Sequence, residues 1–341
     1  MAGDHALTAL GAQFPLAPCA PLRSAHLQSA LHSLPPMSLQ VRRRAAALRA
    51  LSQPLLIHCG DGVRLQAQYT AAARAHGPGV AVVLHGWEGS ADSACVLSLG
   101  SQLYQAGYAV LRLNLRDHGD SQHLNREIFH SCRLPEVLGA VQAIAQRFED
   151  MPLFFAGYSL GGNFLLRMAA QPAVPASVRG VVAISPVLDP ARTLQALERG
   201  LPLYRRTFIR RWSRSLRRKQ RLWPDRHDFS ALLRLKDLRA MTAALVREHT
   251  PFVDLDAYLR GYAITGGCLA TLAVPCSLLL AEDDPIVPAA DLMLLAPSER
   301  LRIYRSRFGG HCGFFAGWSV PSAADRFVLE RFEAMSPETM S

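Results

Sequence analysis

The 341-residue chain is half hydrophobic and only 19% charged, so it can bury a sizeable core and is not expected to be disordered. No apolar run reaches the roughly 18 residues that a membrane-spanning helix needs. The formal net charge is +10, but residues 199–226 alone hold eleven Lys or Arg against one acid, Asp225. The rest of the chain is balanced. The positive charge is therefore confined to one segment, and the rest of the protein is not basic.

The seven cysteines are scattered, odd in number and contain no Cys-x-x-Cys pair. This pattern predicts neither a disulfide framework nor a zinc or other metal site, and we expect reduced thiols that pack as small core residues. Residues 1–5 lack the positive charge, and the residues after them the long apolar run, of a secretory signal. We therefore predict a cytoplasmic protein.

In chain order, short apolar or β-rich segments alternate with helical ones. The predicted strands are 54–57, 63–69, 80–84, 109–114, 153–156, 181–185, 276–280 and 301–304. The predicted helices between and after them are 93–106, 134–147, 160–170 and 323–335. The first two strands flank Gly60-Asp61-Gly62, which predicts an antiparallel hairpin at one edge. The other strands are continuous apolar runs, typical of parallel strands buried on both faces. The pattern predicts an α/β fold, a mostly parallel central sheet with helices on both faces.

The alternation breaks between residues 189 and 271, where the pattern is helical, rich in Arg and Leu, and contains no convincing strand. This predicts a helical cap inserted between the sixth and seventh strand segments, over the carboxyl edge of the sheet. We accordingly predict an N-terminal arm at 1–50, a core at 51–188 and 272–341, and an Arg-rich cap at 189–271. The sequence leaves the place of the arm open.

A nucleophile motif follows the predicted strand 153–156. Residues 157–163 read Gly-Tyr-Ser-Leu-Gly-Gly-Asn, so Ser159 is the serine of a G-x-S-x-G motif between a strand and a helix. A sharp turn of this kind exposes the serine oxygen, and glycines are needed where strand and helix come close. Ser159 is the predicted nucleophile.

A serine hydroxyl needs a base to take its proton, and that imidazole needs a carboxylate to fix its tautomer. In proteins with this strand–serine–helix turn, the acid and then the histidine follow the serine in loops after later strands. Three adjacent acids, 282–284, follow one later strand, and His311 follows the next within Gly-Gly-His-Cys-Gly. His311 is the predicted base. Asp284 and Asp283 are both candidates for the acid, and Asp189 is a more remote one.

Two backbone amides are predicted to hold the oxyanion of the transition state. One belongs to Leu160, directly after the nucleophile, and the other to the loop after strand 80–84, where Trp87 is the predicted donor. His85 in that loop is predicted to stabilise it rather than to serve as a second base. Cys312 is assigned to packing, since nothing marks it as a thiolate.

Together these residues resemble the α/β-hydrolase superfamily and, more closely, its YheT-like branch, which is related to eukaryotic hydrolase-domain lipases and esterases. The likeness to the branch rests on four segments: Ala25-His-Leu-Gln28, His85-Gly-Trp-Glu-Gly-Ser90, Asn125-Arg-Glu-Ile-Phe-His-Ser131 and Gly157-Tyr-Ser-Leu-Gly-Gly-Asn163. It extends from about residue 14 to 318. The resemblance implies hydrolysis of esters or lipids without a cofactor.

The resemblance also bears on the choice of acid. Asp-Pro-Ile-Val-Pro at 284–288 has the usual spacing of the acid loop in these hydrolases, which favours Asp284 over Asp283. The chain departs from the branch at 116–120, Arg-Asp-His-Gly-Asp, where an Arg-Gly segment is expected, and in its Arg-rich cap. These departures concern the substrate rather than the three catalytic candidates.

The basic segment carries an apolar stripe formed by Leu201, Tyr204, Phe208, Trp212 and Leu216. The simplest interpretation is a cap helix that buries this stripe over the active site and exposes its arginines. Docking on an anionic membrane is the alternative, which would suit a lipid ester and a peripheral location at the inner membrane. Attraction of a small anionic substrate is a third interpretation. Nucleic acid is not predicted as a partner, because no recognised binding motif accompanies the charge.

The sequence thus predicts a serine hydrolase that cleaves carboxylic esters, including lipid esters, through an acyl-enzyme. A thioesterase or amidase on the same fold stays open, because selectivity lies in the shape of cap and pocket. A catalytically silent, membrane-surface binding protein of this fold also stays open, although all three triad positions hold candidate residues.

Overall fold

The computed structural model describes residues 11–74 and 77–336 and contains one nine-stranded sheet. The strands are β1 (Ala12–Gln13), β2 (Gln53–His58), β3 (Arg64–Thr70), β4 (Val80–Leu84), β5 (Ala109–Leu113), β6 (Leu153–Tyr158), β7 (Val178–Ile184), β8 (Cys276–Ala281) and β9 (Leu301–Ser306). Their order across the sheet is β1-β9-β8-β7-β6-β4-β5-β3-β2. In this spatial order, the first seven strands, from β1 at the edge through β5, pair in parallel with their neighbours. The β3–β5 and β2–β3 pairs are antiparallel.

Eleven α-helices accompany the sheet in the described residues. They are α1 (Ala25–Leu31), α2 (Met37–Arg44), α3 (Ala46–Leu51), α4 (Ala94–Gln105), α5 (Leu134–Arg147), α6 (Leu160–Ala169), α7 (Pro190–Arg199), α8 (Pro202–Leu222), α9 (Leu238–His249), α10 (Leu255–Arg260) and α11 (Ala323–Met335). None of the helices in the described ranges is both long and apolar enough to cross a membrane.

The central strands bury both faces, and successive side chains alternate between two separate cores. In β4, Val80, Val82 and Leu84 join the core formed with α5, α6 and the helices α7–α10. Ala81 and Val83 join the opposite core, which contains α4 and α11. This period of two explains why the strand has no polar position, since each face carries its own layer of helices.

The predicted α/β architecture is confirmed. Each strand and helix predicted from the sequence is present, with ends that shift by a few residues. The hairpin of β2 and β3 lies at one edge of the sheet, and the Cys59 amide donates to the Val63 carbonyl at 2.9 Å across its turn. Gly60 and Gly62 in that turn have φ values of 88° and 73°, a left-handed region that favours glycine.

The arm, whose place the sequence left open, extends the sheet and covers one end of it. Ala12 of β1 pairs in parallel with Tyr304 of β9, so the arm supplies the edge strand opposite the hairpin. Phe14 packs edge-on against Phe327 of α11, with ring centroids 5.4 Å apart. The first ten residues of the predicted arm, and residues 337–341 of the predicted core, lie outside the described residues.

The apolar stripe of the basic segment lies on α8 and mostly faces inward. Trp212 and Leu216 are buried, and Tyr204 and Phe208 pack half-buried against the same core. Only Leu201, just before the helix, is exposed. The packing agrees with the interpretation in which the stripe is buried and most of the arginines are solvated. Contact of the protein with an anionic membrane stays a prediction. The predicted boundaries of arm, core and cap stay a prediction.

Candidate active site

Ser159 lies at the turn between β6 and α6 in a conformation that few residues adopt, with φ 51° and ψ −117°. Its amide donates to the Ile184 carbonyl at 2.9 Å. The flanking glycines permit the turn because there is no space for a side chain. A Cβ on Gly157 would lie 2.6 Å from the carbonyl carbon of Gly161, and one on Gly161 would lie 2.4 Å from the His85 oxygen. Such a strained turn holds the serine oxygen off the sheet.

The structure brings Ser159, His311 and Asp284 together. The Nε2 atom of His311 lies 3.0 Å from the Ser159 Oγ, and its Nδ1 atom lies 2.9 Å from Oδ2 of Asp284. In the neutral tautomer that this geometry favours, Nδ1 donates to the carboxylate and Nε2 accepts from the serine hydroxyl. The arrangement makes a hydrogen-bonded relay from a nucleophile to a base and on to a carboxylate.

The loop after β8 separates the two candidate acids. Asp284 is buried; its Oδ1 accepts hydrogen bonds from the amides two and three residues further along, at 2.8 and 2.9 Å, which leaves Oδ2 for His311. Asp283 instead accepts a hydrogen bond from the Gly310 amide at 2.8 Å. The remote candidate, Asp189, caps the first turn of α7. Among the three, Asp284 is the carboxylate that contacts the imidazole.

Two opposing influences act on the imidazole of His311. Burial is the largest single influence on its pKa and lowers it. The charge and hydrogen bond of Asp284, together with the neighbouring Cys312 thiol, raise it by more. The pKa of His311 therefore lies well above its ordinary value, and the neutral imidazole that a general base requires forms at higher pH than in a free histidine.

The predicted oxyanion donors lie beside the serine. Trp87 and Leu160 line the same cavity as Ser159. Leu160 begins α6, so its amide is one of the donors that a helix leaves free at its N-terminus. Within the described part of the chain, neither amide has a backbone or side-chain acceptor. A Cβ on Gly86 would lie 3.2 Å from the Ser159 Cβ, so this glycine lets the Trp87 loop come close to the serine.

His85 stabilises that loop, as the sequence predicted. It is fully buried; its Nδ1 donates to the Gly86 carbonyl at 2.7 Å and its Nε2 accepts from the Leu115 amide at 3.1 Å. Burial, reinforced by the neighbouring His118, lowers the pKa of His85 to about 3. The side chain therefore stays neutral at physiological pH, and both of its nitrogens are occupied, so it is not free to act as a second base.

A cavity of about 520 Å³ opens from the serine into the helices between β7 and β8. Most of its walls are apolar or aromatic, and they include Leu194, Leu197, Phe208, Trp212, Leu245 and Tyr258. The Trp87 ring stacks on Phe208 and meets Trp212 edge-on, with ring centroids 5.3 Å apart in both pairs. Because Trp87 is also the predicted oxyanion residue, helix α8 packs directly on the loop that carries this candidate.

The arm braces the histidine loop, a role that sequence reasoning missed. The His311 amide donates to the Ser29 Oγ at 2.8 Å. The buried Gln28 amide group donates to the carbonyls of Leu22 and Phe315 at 2.7 and 2.8 Å, and accepts from the Phe315 amide at 2.8 Å. Gln28 ends one of the four segments that resemble the YheT-like branch, but that segment did not indicate this contact.

The loop that carries His311, which α1 contacts through Gln28 and Ser29, has a strained backbone. Gly310, Cys312 and Phe314 all have positive φ values, between 53° and 65°, and two of the three are not glycine. Such backbone costs free energy that the surrounding contacts must offset. Helix α1 and the amides that it binds supply those contacts on the side of the loop that faces the arm.

Comparison with known proteins gives the class that this sheet and serine turn define. A family model described as the alpha/beta hydrolase fold matches residues 80–315. The chain therefore belongs to the α/β-hydrolase family.

Individual relatives narrow the placement. The chain is 25% identical over 285 residues to YheT of Escherichia coli (strain K12), a candidate esterase, covering 81% of this chain and 82% of that protein. It is 30% identical over 204 residues to the human protein ABHD15, covering 58% of this chain and 42% of the human protein. The chain thus spans less than half the length of that human relative. Membership of the YheT-like branch is confirmed.

A solved structure agrees on the fold. The Pyrococcus furiosus esterase Pf2001 superimposes with a TM-score of 0.54 at 13% identity, covering 83% of this chain and 89% of that one. The family match and the esterase relative together support a hydrolase function for this chain, without defining the bond that is cleaved.

Proposed function

We propose that this protein is a serine esterase that cleaves carboxylic esters through an acyl-enzyme on Ser159. The observation that carries the proposal is the relay from the Ser159 Oγ through His311 to Asp284, placed at the wall of a largely apolar cavity. The name of the Escherichia coli relative, a candidate esterase, supports the same chemistry.

In the first half-reaction, His311 Nε2 takes the proton of the Ser159 hydroxyl as Oγ attacks the ester carbonyl carbon. The carbonyl oxygen becomes an oxyanion, held by the amides of Trp87 and Leu160. The tetrahedral intermediate then collapses: the bond to the alcohol oxygen breaks, and the imidazolium returns its proton to that oxygen. The alcohol leaves, and the acyl group stays on the serine.

In the second half-reaction, water replaces the alcohol. His311 takes a proton from the water, the resulting hydroxide attacks the acyl carbon, and the proton passes to the Ser159 Oγ as the acid leaves. Asp284 holds Nδ1 throughout, which fixes the tautomer and stabilises the imidazolium that forms twice in each cycle.

The cavity favours an acyl chain over a charged acid portion. Apolar side chains from α7, α8 and α9 surround the space beyond the serine, and burial of each methylene there stabilises the complex by about 0.8 kcal/mol. Esters with an extended hydrocarbon chain, including lipid esters, are therefore the proposed substrate class.

Hydrolysis of p-nitrophenyl esters of increasing acyl length tests the proposal. The wild type should turn them over with an optimum above the shortest acyl chain. Ser159→Ala should lower kcat/KM by at least about 10³-fold, whereas Ser230→Ala, at an exposed serine outside the cavity, should not. Thioesters of the same acyl chains, run in parallel, separate an esterase from a thioesterase. Turnover that survives in a folded Ser159→Ala variant would contradict the mechanism, and a folded, inactive wild type would favour the silent binding protein.

A further inference from the structure

The solvent side of α8 carries a line of positive charge. Leu203, Arg206, Arg210, Arg214, Arg217 and Arg221 recur at intervals of three and four residues, so they share one face of the helix, and all six side chains are exposed. We call the five arginines the arginine face. From Arg206 to Arg221 it extends for about 22 Å along the helix, on the side opposite the buried Trp212 and Leu216.

In the described residues, carboxylates form ion pairs with cations beside the arginine face but not with the face itself. Arg218 pairs with Asp120, and the buried Lys219 pairs with Asp117 at 2.8 Å. Within residues 11–74 and 77–336, no carboxylate oxygen lies within 4 Å of any guanidinium of the arginine face. Like charges at such spacings destabilise a helix. The arginine face therefore forms no ion pair within the described chain and is available to an anionic surface outside it.

Exposed apolar side chains lie where the arginine face meets the cavity. Leu203, on the same face of α8, is 68% exposed and lines the cavity. Leu34 reaches the cavity from the arm and is 43% exposed. Exposed leucines cost free energy in water. Leu203 lies near the N-terminal end of α8, and both leucines line the cavity that contains Ser159.

We propose that the arginine face binds the surface of an anionic lipid bilayer, with Leu203 and Leu34 entering its acyl layer. A basic helix face with adjoining apolar side chains fits such a surface, because the arginines contact lipid head groups while the leucines leave water. A nucleic-acid backbone would match the arginines but offers nothing to the leucines. Because Leu203 and Leu34 both line the cavity, their entry into the bilayer would bring the cavity next to the layer in which lipid esters reside. The binding itself requires no catalysis, so it goes beyond the esterase proposal and is tested apart from it.

Co-sedimentation with phosphatidylcholine vesicles, with and without phosphatidylglycerol, tests the proposal on the full chain. The wild type should bind only the phosphatidylglycerol vesicles, and more weakly as salt rises. A variant with all five arginines of the face changed to Gln should bind at least about tenfold more weakly. The matched control changes five exposed arginines outside α8 to Gln and should still bind; they are Arg49, Arg179, Arg260, Arg302 and Arg307.

Two further measurements make the result specific. Leu203→Gln should weaken vesicle binding, whereas Val253→Gln, at an 86% exposed residue, should not. Hydrolysis of a soluble p-nitrophenyl ester should be unchanged in the five-arginine variant and in its control, which reports folding and separates this proposal from the esterase mechanism. Vesicle binding that is absent in the wild type, retained without the arginine face or unaffected by Leu203→Gln would overturn the proposal. So would preferential binding to duplex DNA in a mixture with the vesicles.

Discussion

Two adjacent acidic residues in the loop after β8, Asp283 and Asp284, make different hydrogen bonds. Asp284 contacts Nδ1 of His311, and Asp283 contacts the Gly310 amide. The Asp284 contact places a negative charge where an imidazolium forms during the reaction, whereas the Asp283 contact only shapes the loop. At the scale of single residues, the proposed mechanism therefore depends on which of two neighbours carries the charge.

We predict that Asp284→Asn lowers kcat/KM by about 10³- to 10⁴-fold, because an amide neither fixes the correct tautomer nor stabilises the imidazolium. Asp283→Asn is the matched control: its side-chain oxygen can still accept from Gly310, so kcat/KM should stay within about tenfold of the wild type. Steady-state kinetics on one p-nitrophenyl ester measures both. Equal losses in the two variants would contradict the assignment of Asp284.

The pH profile gives a second prediction for the same contact. Activity requires neutral His311, and Asp284 raises the pKa of that histidine above its ordinary value. Activity should therefore fall as pH decreases through this raised pKa. Removing the carboxylate lowers the pKa, so the residual activity of Asp284→Asn should persist to lower pH than that of the wild type. A profile of kcat/KM against pH measures the shift, and an acid limb that stays in place would count against the contact.

The sequence predicted the site residues to the extent that local motifs define them. Ser159 and Leu160 follow from the glycine spacing of one turn, and the structure places them at that turn. Asp284 could be preferred only through the spacing of a family loop, because two neighbouring carboxylates look alike until the chain folds. Gln28 and Ser29 could not be found, since their partners lie more than 280 residues away.

At the scale of elements, α1 and α8 both contact loops of the candidate site from outside the sheet. Helix α1 contacts the histidine loop through Ser29 and Gln28, and α8 contacts the oxyanion loop through the stacked rings of Trp87 and Phe208. The three candidate triad residues thus follow strands of the sheet, while α1 and α8 contact the loops around them.

We predict that Gln28→Ala destabilises the protein by about 2–4 kcal/mol, because two buried carbonyls and one buried amide lose their partner. It should also lower kcat more than it raises KM, since the loop that it holds carries His311. Gln40→Ala, which removes a single exposed hydrogen bond to Trp318, is the control. Chemical denaturation and steady-state kinetics measure the two effects. A loss of stability with unchanged kcat would show that the Gln28 contacts do not position His311.

A second element-scale prediction concerns the anchor of α8. Lys219 is 1% exposed, and its ammonium donates to Asp117 at 2.8 Å and to backbone carbonyls, including that of Glu127 at 3.1 Å. Lys219→Met leaves the Asp117 carboxylate buried without its partner, so the free energy of unfolding should fall by about 3–5 kcal/mol. The chain has one other lysine, the exposed Lys236, and Lys236→Met should change stability little. Similar unfolding curves for the two variants would contradict the claim that the Lys219–Asp117 pair anchors α8.

Helices and strands with a strong hydrophobic pattern were predictable from the sequence, whereas the short strand β1, which has no such pattern, was not. The strand β4 and the helix α5 have the predicted ends, because a five-residue apolar run and a clear helical face each indicate one conformation. The strand β1 has two exposed residues, and its pairing depends on the edge of β9, so no local signal distinguishes it.

At the scale of the whole molecule, charge and apolar surface are divided over opposite sides of α8. The stripe that the sequence identified as apolar is used for packing over the cavity, and the arginines between its members face solvent. The sequence located the charge but could not give its orientation, because the same helical pattern fits a buried stripe and a membrane-facing one. The fold decides this by placing Trp212 against Trp87.

The central claim is that Ser159 is an activated nucleophile, and labelling with a fluorophosphonate tests it most directly. We predict one adduct per chain by intact mass, mapped by peptide sequencing to Ser159. The labelling should be absent in Ser159→Ala, strongly slowed in His311→Ala and retained in Ser230→Ala. A folded wild type that stays unlabelled, or an adduct that maps to another residue, would contradict the account.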